Sequence, residues 1–433
     1  MRQGDSGMNE PDTNEPEVGG TALRAMLEHA TADEPHIGPV VQNALVAGLK
    51  RRRRRRASGI VACAVVVAAV SVIAPALTGA RRVTPASVTQ ASTPTVYVAN
   101  RTSGVTGWVT PISTVTNKAG LRIDIGLNYD MAVTPNGKTI YFLDLISDTV
   151  TPVSTATNTA GRPIKVARFP FAIAITPDGK FAYVLSEKSQ LTRIMTATNT
   201  ASRPITINPA PARIDVATDP AITPDGKTIY VSPSFASDYL VPVQTATDKA
   251  GKPIRLSAAP SAIVITPDGK TVYTVNTESG TVTPIATATN TAGPPIKVGQ
   301  YPEYIAITPN GKTAYVVSDG PDTVTPIDIA TGKAGPPIKV GASPSNITIT
   351  PDGKTAYVID DEGATPINTA TGKAGPPIKA GAGSSDIAIT PDGKTAYMIG
   401  SGSGTVIPVN TATNTAGPAI KVGGYPYAIV IAP

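Results

Sequence analysis

Beyond residue 80, the side chains of this chain that could bind or react are carboxylates, amides and aromatic rings. The two histidines, His29 and His36, and the single cysteine, Cys63, all lie before that point. The remaining sequence therefore excludes Ser-His-Asp and Cys-His catalysis, disulfides and metal sites built on His or Cys. Oxygen ligands remain available, and these are sufficient for a sugar, a peptide or a calcium ion.

Two adjacent positions of a repeated unit concentrate these side chains. Both positions directly precede a β-rich run, and their residues vary among copies whose turns hardly change. We therefore predict that they form a ligand-binding rim of loop-tip side chains. Ordinary solvated loops, whose sequences drift for lack of constraint, are the alternative interpretation. The predicted rim consists of Tyr129, Asp130, Phe171, Asp219, Glu303, Tyr304, Asn346, Asp386 and Tyr427.

A repeat of about 42 residues must position this rim. The pentapeptide T-P-[DN]-G-K begins at Thr134, Thr176, Thr223, Thr266, Thr308, Thr350 and Thr390. Between its copies, four short runs rich in Val, Ile, Thr and Tyr alternate with turn clusters, and no run is long enough for a helix. The 39 Gly and 42 Pro residues, with 41% hydrophobic content, fit an all-β chain with many turns. Four strands per repeat predict a β-propeller blade.

The turn chemistry supports this interpretation. In T-P-D-G-K, Pro presets φ, Asp bonds its own backbone and Gly takes a positive φ, which predicts a hairpin between the first and second strands. Pro-Pro pairs such as Pro336-Pro337 open the fourth run, which predicts that this strand lies at the outer edge of the blade. Pro284, Pro326 and Pro408 fall inside the third run. Because proline cannot donate a backbone hydrogen bond, each requires either a bulge or a nitrogen that faces outward, where no ladder hydrogen bond is lost.

The number of second strands predicts eight blades. These strands begin near Val96, Thr139, Phe181, Thr228, Thr271, Thr313, Thr355 and Thr395. The first repeat lacks a first strand, whereas the chain ends in a strand, Tyr427–Ile431, with nothing after it. Pairing the two would complete one blade and close the ring. Seven blades are the alternative, because the third repeat has a 47-residue spacing and Pro220 inside its first strand.

The N-terminal part predicts a membrane anchor. Residues 57–80 carry no charge, and as a helix their 24 residues would reach about 36 Å, enough to cross a bilayer. Arg51–Arg56 precede this span, so the positive-inside rule predicts a cytoplasmic N-terminus and an exported C-terminus. A cleaved signal peptide is the alternative. The expected segments are a partly disordered tail (1–56), a transmembrane helix (57–80), a stalk (81–95) and a propeller (96–433).

The net charge of +6 does not predict nucleic-acid binding. Its basic character is concentrated in the six arginines rather than spread as a stripe among aromatic residues that could stack on bases. Residues 21–50 contain two short, weakly amphipathic runs that could contact a cytoplasmic partner weakly. The expected partners are therefore the membrane, through residues 57–80, and an unidentified extracellular protein or glycan.

The propeller sequence resembles a known repeat family. The phrases Y-V-A-N at Tyr97, Y-T-V-N at Tyr273, I-A-I-T-P-D-G-K at Ile387 and N-T-A-T-N-T-A-G at Asn410 are similar to the YVTN-type β-propeller repeats of bacterial surface and exported proteins. The resemblance covers residues 96–433. It implies a propeller at the cell surface, with function expected on the face formed by the loops from the fourth to the next first strand and from the second to the third.

These loops extend the predicted rim with further charged residues, namely Arg101, Asp144, Glu187, Glu278, Asp319, Asp322, Asp360, Asp361 and Glu362. We predict a single-pass, membrane-anchored binding or scaffold propeller with no cofactor and no assigned catalytic residue. The alternative is a calcium-dependent, lactonase-like hydrolase on the rim, which could draw on Asp130, Glu303, Asn346 and Asp386. A quinoprotein dehydrogenase is disfavoured because Trp108 is the only tryptophan.

Overall fold

The computed structural model describes residues 93–102, 107–126, 128–207, 218–233, 237–380 and 383–433. The predicted tail, the predicted span at 57–80 and most of the predicted stalk lie outside these residues. In the described part of the chain, no helix has the length and hydrophobicity needed to cross a membrane.

The described residues form eight antiparallel sheets, the blades of a β-propeller. In each blade, strands a, b and c pair in that order. The fourth strand is split into two short pieces, d1 and d2, which both pair with c. The all-β propeller prediction is confirmed, with a divided fourth strand in place of the continuous one that was expected.

The strands follow the chain from blade to blade. Blade 1 contains β1 (Thr95–Arg101), β2 (Gly107–Ser113), β3 (Lys118–Ala119) and β4 (Ile123–Asp124). Blade 2 contains β5 (Asn128–Val133), β6 (Thr139–Asp144), β7 (Thr149–Ser154), β8 (Thr159–Ala160) and β9 (Ile164–Lys165). Blade 3 contains β10 (Pro170–Ile175), β11 (Phe181–Ser186), a 3₁₀ turn (Glu187–Ser189), β12 (Gln190–Met195), β13 (Thr200–Ala201) and β14 (Ile205–Thr206). Blade 4 contains β15 (Ala221–Ile222), β16 (Thr228–Val231), β17 (Tyr239–Gln244), β18 (Lys249–Ala250) and β19 (Ile254–Arg255).

The second half repeats the pattern. Blade 5 contains β20 (Ala262–Ile265), β21 (Thr271–Asn276), β22 (Thr281–Ala286), β23 (Thr291–Ala292) and β24 (Ile296–Lys297). Blade 6 contains β25 (Pro302–Ile307), β26 (Thr313–Ser318), β27 (Thr323–Asp328), β28 (Lys333–Ala334) and β29 (Ile338–Lys339). Blade 7 contains β30 (Asn346–Ile349), β31 (Thr355–Asp360), β32 (Gly363–Asn368), β33 (Lys373–Ala374) and β34 (Ile378–Lys379). Blade 8 contains β35 (Ser384–Ile389), β36 (Thr395–Gly400), β37 (Thr405–Asn410), β38 (Thr415–Ala416) and β39 (Ile420–Lys421), and β40 (Tyr425–Ala432) then returns to blade 1.

The C-terminal strand closes the ring, as the sequence predicts. Strand β40 pairs with β1 from Thr95 opposite Ala432 to Arg101 opposite Tyr425, with one bulge. The a strands β5, β10, β15, β20, β25, β30, β35 and β40 each contact the next around the ring. Eight blades are therefore confirmed, and the seven-blade alternative is wrong. Pro220 does not remove a blade; it directly precedes β15, which is only two residues long.

The T-P-[DN]-G-K segments are the a–b hairpins. In the turn of blade 6, the amide of Gly311 donates to the carbonyl of Thr308 at 2.8 Å, and the hydroxyl of Thr308 donates to Oδ1 of Asn310 at 2.7 Å. Gly311 has a φ of +69°, which a residue with a β-carbon rarely adopts. The sequence prediction of a structural turn is confirmed.

The prolines inside strand c explain why strand d is divided. The carbonyl of Pro284 accepts a hydrogen bond from Gly293 on the d side at 2.8 Å. In an extended strand, the N and the C=O of one residue face the same side, so the missing N–H of Pro284 also faces strand d. There the ladder is interrupted between β23 and β24. These prolines therefore need no bulge. Of the two arrangements expected from the sequence, the one observed has the proline nitrogen facing outward, toward strand d.

On seven of the eight b strands that the structure describes, a tyrosine hydroxyl donates a hydrogen bond to the next blade. The hydroxyl of Tyr397 in blade 8 donates to Oδ1 of Asn117 in blade 1 at 2.6 Å, across 280 positions of sequence. Equivalent bonds join Tyr97 to Asn158, Tyr141 to Asn199, Tyr183 to Asp248, Tyr230 to Asn290 and Tyr357 to Asn414. Burial raises the pKa of Tyr397 to about 12, so the hydroxyl remains a donor at physiological pH.

We expect Tyr397→Phe to lower the free energy of unfolding by about 1 kcal/mol, because it removes one hydrogen bond at the ring closure. Tyr273→Phe is the matched control, since the next blade has Gly332 at the acceptor position and offers no side-chain oxygen there. Urea unfolding of the full chain should shift the midpoint for Tyr397→Phe only. Equal shifts for the two variants would contradict a role for this hydrogen bond in joining the blades.

Candidate functional site

The predicted rim residues lie where the a strands begin, on the end of the ring that carries the b–c and d–a connections. We call this end the mouth face, and the opposite end, with the a–b and c–d turns, the turn face. The pairing of a with b shifts register between Asn128 and Met131 in blade 2 and between Pro302 and Tyr304 in blade 6. Such shifts also occur in β10, β35 and β40. Residues at β-bulges are released from the ladder and can re-aim their side chains.

The bulges hold six of the nine predicted rim residues: Tyr129, Asp130, Phe171, Glu303, Asp386 and Tyr427. The alternation of strand residues therefore breaks at the point where the internal repeats differ most. The sequence indicates these positions through their variability, but it contains no signal for the bulge itself.

Asp130 and Asp386 are buried and bridge neighbouring blades. Oδ1 of Asp386 accepts from the amide of Ile387 at 2.8 Å, and its Oδ2 accepts from the amide of Ile429 on β40 at 3.0 Å. Asp130 does the same between blades 2 and 3, with Oδ2 accepting from the amide of Ile173 at 3.0 Å. A carboxylate that accepts backbone N–H groups at a bulge fixes the position of the adjacent a strand.

The predicted rim residues Asn346 and Asp386 are in direct side-chain contact. Nδ2 of Asn346 donates to Oδ1 of Asp386 at 3.0 Å, while Oδ1 of Asn346 accepts from the amide of Ile347 at 2.7 Å. Both side chains are buried. These two residues therefore lie together, as the hydrolase alternative required. Their hydrogen bonds, however, join blades 7, 8 and 1.

Asp219 is a rim carboxylate in an environment that disfavours its charged form. Its side chain is half-buried, and burial raises its pKa well above the ordinary value, with the negative charge of Asp130 as the second cause. Asp130 and Asp219 belong to blades 2 and 4, so the mouth face brings carboxylates from different blades within electrostatic range. The adjacent Thr218 is buried, and its hydroxyl has no hydrogen-bond partner.

Three predicted rim aromatics are core residues. Phe171, Tyr304 and Tyr427 are only 5%, 3% and 8% exposed, respectively. Tyr304 packs in the cluster between blades 6 and 7 with Tyr315 and Ile347. The expectation of exposed loop-tip side chains is therefore wrong for these three aromatics, and it is equally wrong for Asp130, Asn346 and Asp386, which are at most 3% exposed. Tyr129 and Glu303 are half-buried.

Two exposed aromatics on the same face are not among the residues predicted from the sequence. Tyr301 is 59% exposed and Tyr425 is 53% exposed, and each precedes a proline at the start of an a strand. Phe169-Pro170 is the equivalent pair in blade 3, where Arg168 lies 5.0 Å from the centre of the Phe169 ring. Tyr301 and Phe169 have φ values of +53° and +50°, which are unusual for bulky residues and are often found at functional sites. The aromatic-Pro dipeptide is the sequence signal that could have identified them.

Several charged residues of the b–c connections have structural roles. Asp360 is buried; its Oδ1 accepts from the amide of Gly363 at 2.9 Å and its Oδ2 accepts from the hydroxyl of Thr365 at 2.7 Å. Asp319 remains at the surface, and its pKa is raised by burial and by the charges of Asp322 and Asp361. The mouth face therefore contains an acidic surface that spans blades 6 and 7. Among the described residues, no group of three or more His, Cys, Asp or Glu side chains is arranged to hold a metal ion.

Comparison with known proteins shows the fold. No protein-family model and no curated protein matches the chain. Solved structures do match: the dihydro-heme d1 dehydrogenase NirN in complex with DHE has a TM-score of 0.67 at 13% identity, covering 95% of this chain and 91% of NirN. AztD from Citrobacter koseri has a TM-score of 0.60 at 13% identity, covering 78% and 97% of the two chains. Kuenenia stuttgartiensis hydrazine synthase has a TM-score of 0.53 at 22% identity, covering 66% and 96%.

These likenesses establish a propeller with propeller neighbours and assign no activity to this chain. The YVTN repeat family itself is not shown by any family match, so that resemblance stays a prediction.

We expect Asp219→Asn to raise Tm by a few degrees at pH 7 and to have little effect near pH 4. A carboxyl whose pKa is higher in the folded protein than in the unfolded chain destabilises the fold as pH rises above its ordinary value of about 4, and Asn removes that charge. Thermal unfolding from pH 4 to pH 7 measures the effect. Asp352→Asn is the control, because a hydrogen bond from Thr350 lowers the pKa of Asp352. A Tm difference for Asp219→Asn that did not change with pH would contradict this assignment.

Proposed function

We propose that this protein is a single-pass, membrane-anchored extracytoplasmic β-propeller that acts as a binding or scaffold module at the cell surface. The anchor in this proposal is the uncharged segment 57–80, with Arg51–Arg56 on the cytoplasmic side. The described propeller supports the binding part: a closed ring presents two ends, and the mouth face varies more in chemistry from blade to blade than the turn face does.

The observation that carries the binding role is the pair of exposed tyrosines at the mouth, beside carboxylates. Tyr301 and Tyr425 are both more than half exposed, and aromatic side chains of this kind dominate the energy of many binding interfaces. They occupy equivalent positions on blades 6 and 1, at the start of strand a. The exposed carboxylates Asp319 of blade 6 and Asp361 of blade 7 provide hydrogen-bond acceptors on the same face. A protein or a glycan with polar and apolar groups is the ligand class that such a face fits.

The buried rim residues support the proposal in a different way. Asp130, Asn346 and Asp386 hold the a strands in register, so the exposed tyrosines are carried on a rigid frame. A binding surface on a preorganised frame loses less entropy on association. We therefore place the ligand contacts on Tyr301, Tyr425 and the half-buried Tyr129, Asp219 and Glu303, and the positioning role on the buried members of the predicted rim. No observation in the described residues favours the hydrolase alternative.

A screen of the full chain against glycans and extracellular proteins, with and without calcium, tests this proposal. For a ligand found in this way, the double variant Tyr301→Asn/Tyr425→Ala should weaken binding about tenfold or more, as expected for truncation of aromatic contacts. Asn is chosen at position 301 because it tolerates a positive φ. Tm should change little, since both side chains are exposed.

The matched control removes two exposed apolar side chains elsewhere. Val115 and Leu121 are 70% and 90% exposed, and they lie on the c–d segment of blade 1, away from the mouth. Val115→Ala/Leu121→Ala should leave binding unchanged. Equal binding by the tyrosine variant and the wild type, or equal losses in the two double variants, would remove the mouth face from the proposed function.

A further inference from the structure

The two ends of the propeller differ in charge. Over the b–c and d–a connections and the strand ends that flank them, the described mouth face has 15 carboxylates and nine basic side chains. On the turn face, the a–b and c–d turns have seven carboxylates and 11 lysines. The mouth face is therefore net acidic and the turn face is net basic.

The basic end comes from the repeated turn itself. Each T-P-[DN]-G-K turn ends in a lysine, and the c–d turns add Lys118, Lys249, Lys333 and Lys373. The side chains of Lys227, Lys270, Lys354 and Lys394 are all 82% exposed. Aspartates lie 3.2 to 3.6 Å from these ammonium groups. Such exposed pairs are weak, so the lysines can turn toward another anion.

Two turns carry a lysine without the carboxylate. Asn136 and Asn310 replace aspartate and keep the turn intact: the amides of Lys138 and Lys312 each donate to the Asn Oδ1 at 3.0 Å. The turn therefore needs the side-chain oxygen but not its charge. Lys138 and Lys312 are exposed, and both add to the positive charge of this face.

The polypeptide enters the propeller at the same end. Strand β1 begins at Thr95, opposite Ser113 at the end of β2 and opposite Ala432 near the C-terminus. The hydroxyl of Thr114, in the c–d turn, donates to the carbonyl of Pro94 at 2.5 Å, which fixes the entry point on the turn face. Residues 81–93 separate this point from the proposed anchor, and 13 residues can span at most about 47 Å. A tether this short holds the turn face close to the bilayer.

We propose that the turn face of the propeller docks on an anionic lipid surface, with the mouth face directed away from the membrane. This inference rests on the membrane anchoring proposed above. Anionic headgroups attract basic side chains near the surface by about 1 kcal/mol each, and the attraction falls off within a Debye length. The tether raises the effective concentration of the propeller at the surface, so a modest net charge is sufficient. The acidic mouth face is repelled by the same headgroups, which fixes the orientation.

Lysine acetylation in lipid nanodiscs tests this orientation within one molecule. The full chain is incorporated into discs of phosphatidylcholine alone or with 40% phosphatidylglycerol, treated with an amine-acetylating reagent and analysed by mass spectrometry. We expect Lys227, Lys270, Lys354 and Lys394 to react about threefold more slowly in the anionic discs, and 0.5 M NaCl to abolish the difference. Lys297, Lys379 and Lys421 on the mouth face should react equally in both discs. Equal reactivity of the turn-face lysines in both discs would overturn the inference.

A pair of charge reversals provides the matched control. Lys138→Glu/Lys312→Glu should remove the protection of Lys227 and Lys394, because it neutralises most of the net charge of the turn face. Lys379→Glu/Lys421→Glu changes the total charge equally, but on the mouth face, and should leave that protection unchanged. Equal effects of the two double variants would show that only total charge matters and would overturn the assignment to the turn face.

Extraction with alkaline carbonate separates this inference from the anchoring on which it rests. If the chain resists extraction but its turn-face lysines stay reactive, the anchor stands and the docking is wrong. If carbonate removes a chain whose turn-face lysines were protected in anionic discs, the anchor is wrong and docking by charge alone is supported. A chain that does not associate with anionic discs overturns both.

Discussion

The pairing of β40 with β1 is the interaction on which the rest of the structure depends. A repeat array that stayed open would expose the inner strand of one end blade and the core between two blades. The cluster of Val96, Val98, Tyr397, Ile399 and Ile429 shows what closure buries, since it unites residues from both ends of the sequence. The ring closes because β40 supplies the missing first strand of blade 1. The closed ring in turn positions every rim residue.

Contacts between neighbouring blades recur at the closing joint at three levels of the ring. Near the turn face, a b-strand tyrosine donates to the Asn of the next blade, ending with Tyr397 and Asn117. At the mouth, Asp386 accepts from Ile429 as Asp130 accepts from Ile173. In the turns, Pro135 packs against Gly179 of the next blade, and Pro433 takes the place of the turn proline against Gly137. The closing joint thus uses contacts that also occur at other joints, whereas, among the residues that the structure describes, the joint between blades 5 and 6 lacks the tyrosine hydrogen bond.

Sequence reasoning found the elements whose rules are local. The T-P-[DN]-G-K hairpins, the starts of the b strands and the terminal strand follow from turn chemistry and repeat counting. The divided strand d could have been derived, because the proline of strand c and the Pro-Pro pair of strand d remove N–H groups at the same height of the blade. The bulges at Asp130, Glu303 and Asp386 could not, since they depend on how neighbouring a strands meet around the axis. For that reason Tyr304 and Tyr427 were expected at the surface and are buried, whereas Tyr301 and Tyr425 were missed.

Variation among internal repeats therefore has two sources in this protein. At Asp130, Asn346 and Asp386 it reflects different ways of joining blades, and at Tyr301 and Tyr425 it places exposed rings where blades 5 and 7 have Ala259 and Ser343. Burial separates the two sets, and sequence alone does not. Charge likewise has both a structural and a surface aspect. The lysines of the turns recur because the turn is repeated, and together they give one end of the ring a net positive charge.

Hydrogen exchange of the native protein tests the closed ring most directly. The amide of Val430 on β40, opposite Tyr97, should exchange as slowly as that of Ala306 on β25, opposite Tyr315, because both strands open only when the whole ring unfolds. Mass spectrometry of the two peptides, over a range of denaturant concentrations, measures this comparison. The closed ring predicts the same opening free energy for both strands. Exchange of β40 through a separate, lower-energy opening while β25 stays protected would contradict it.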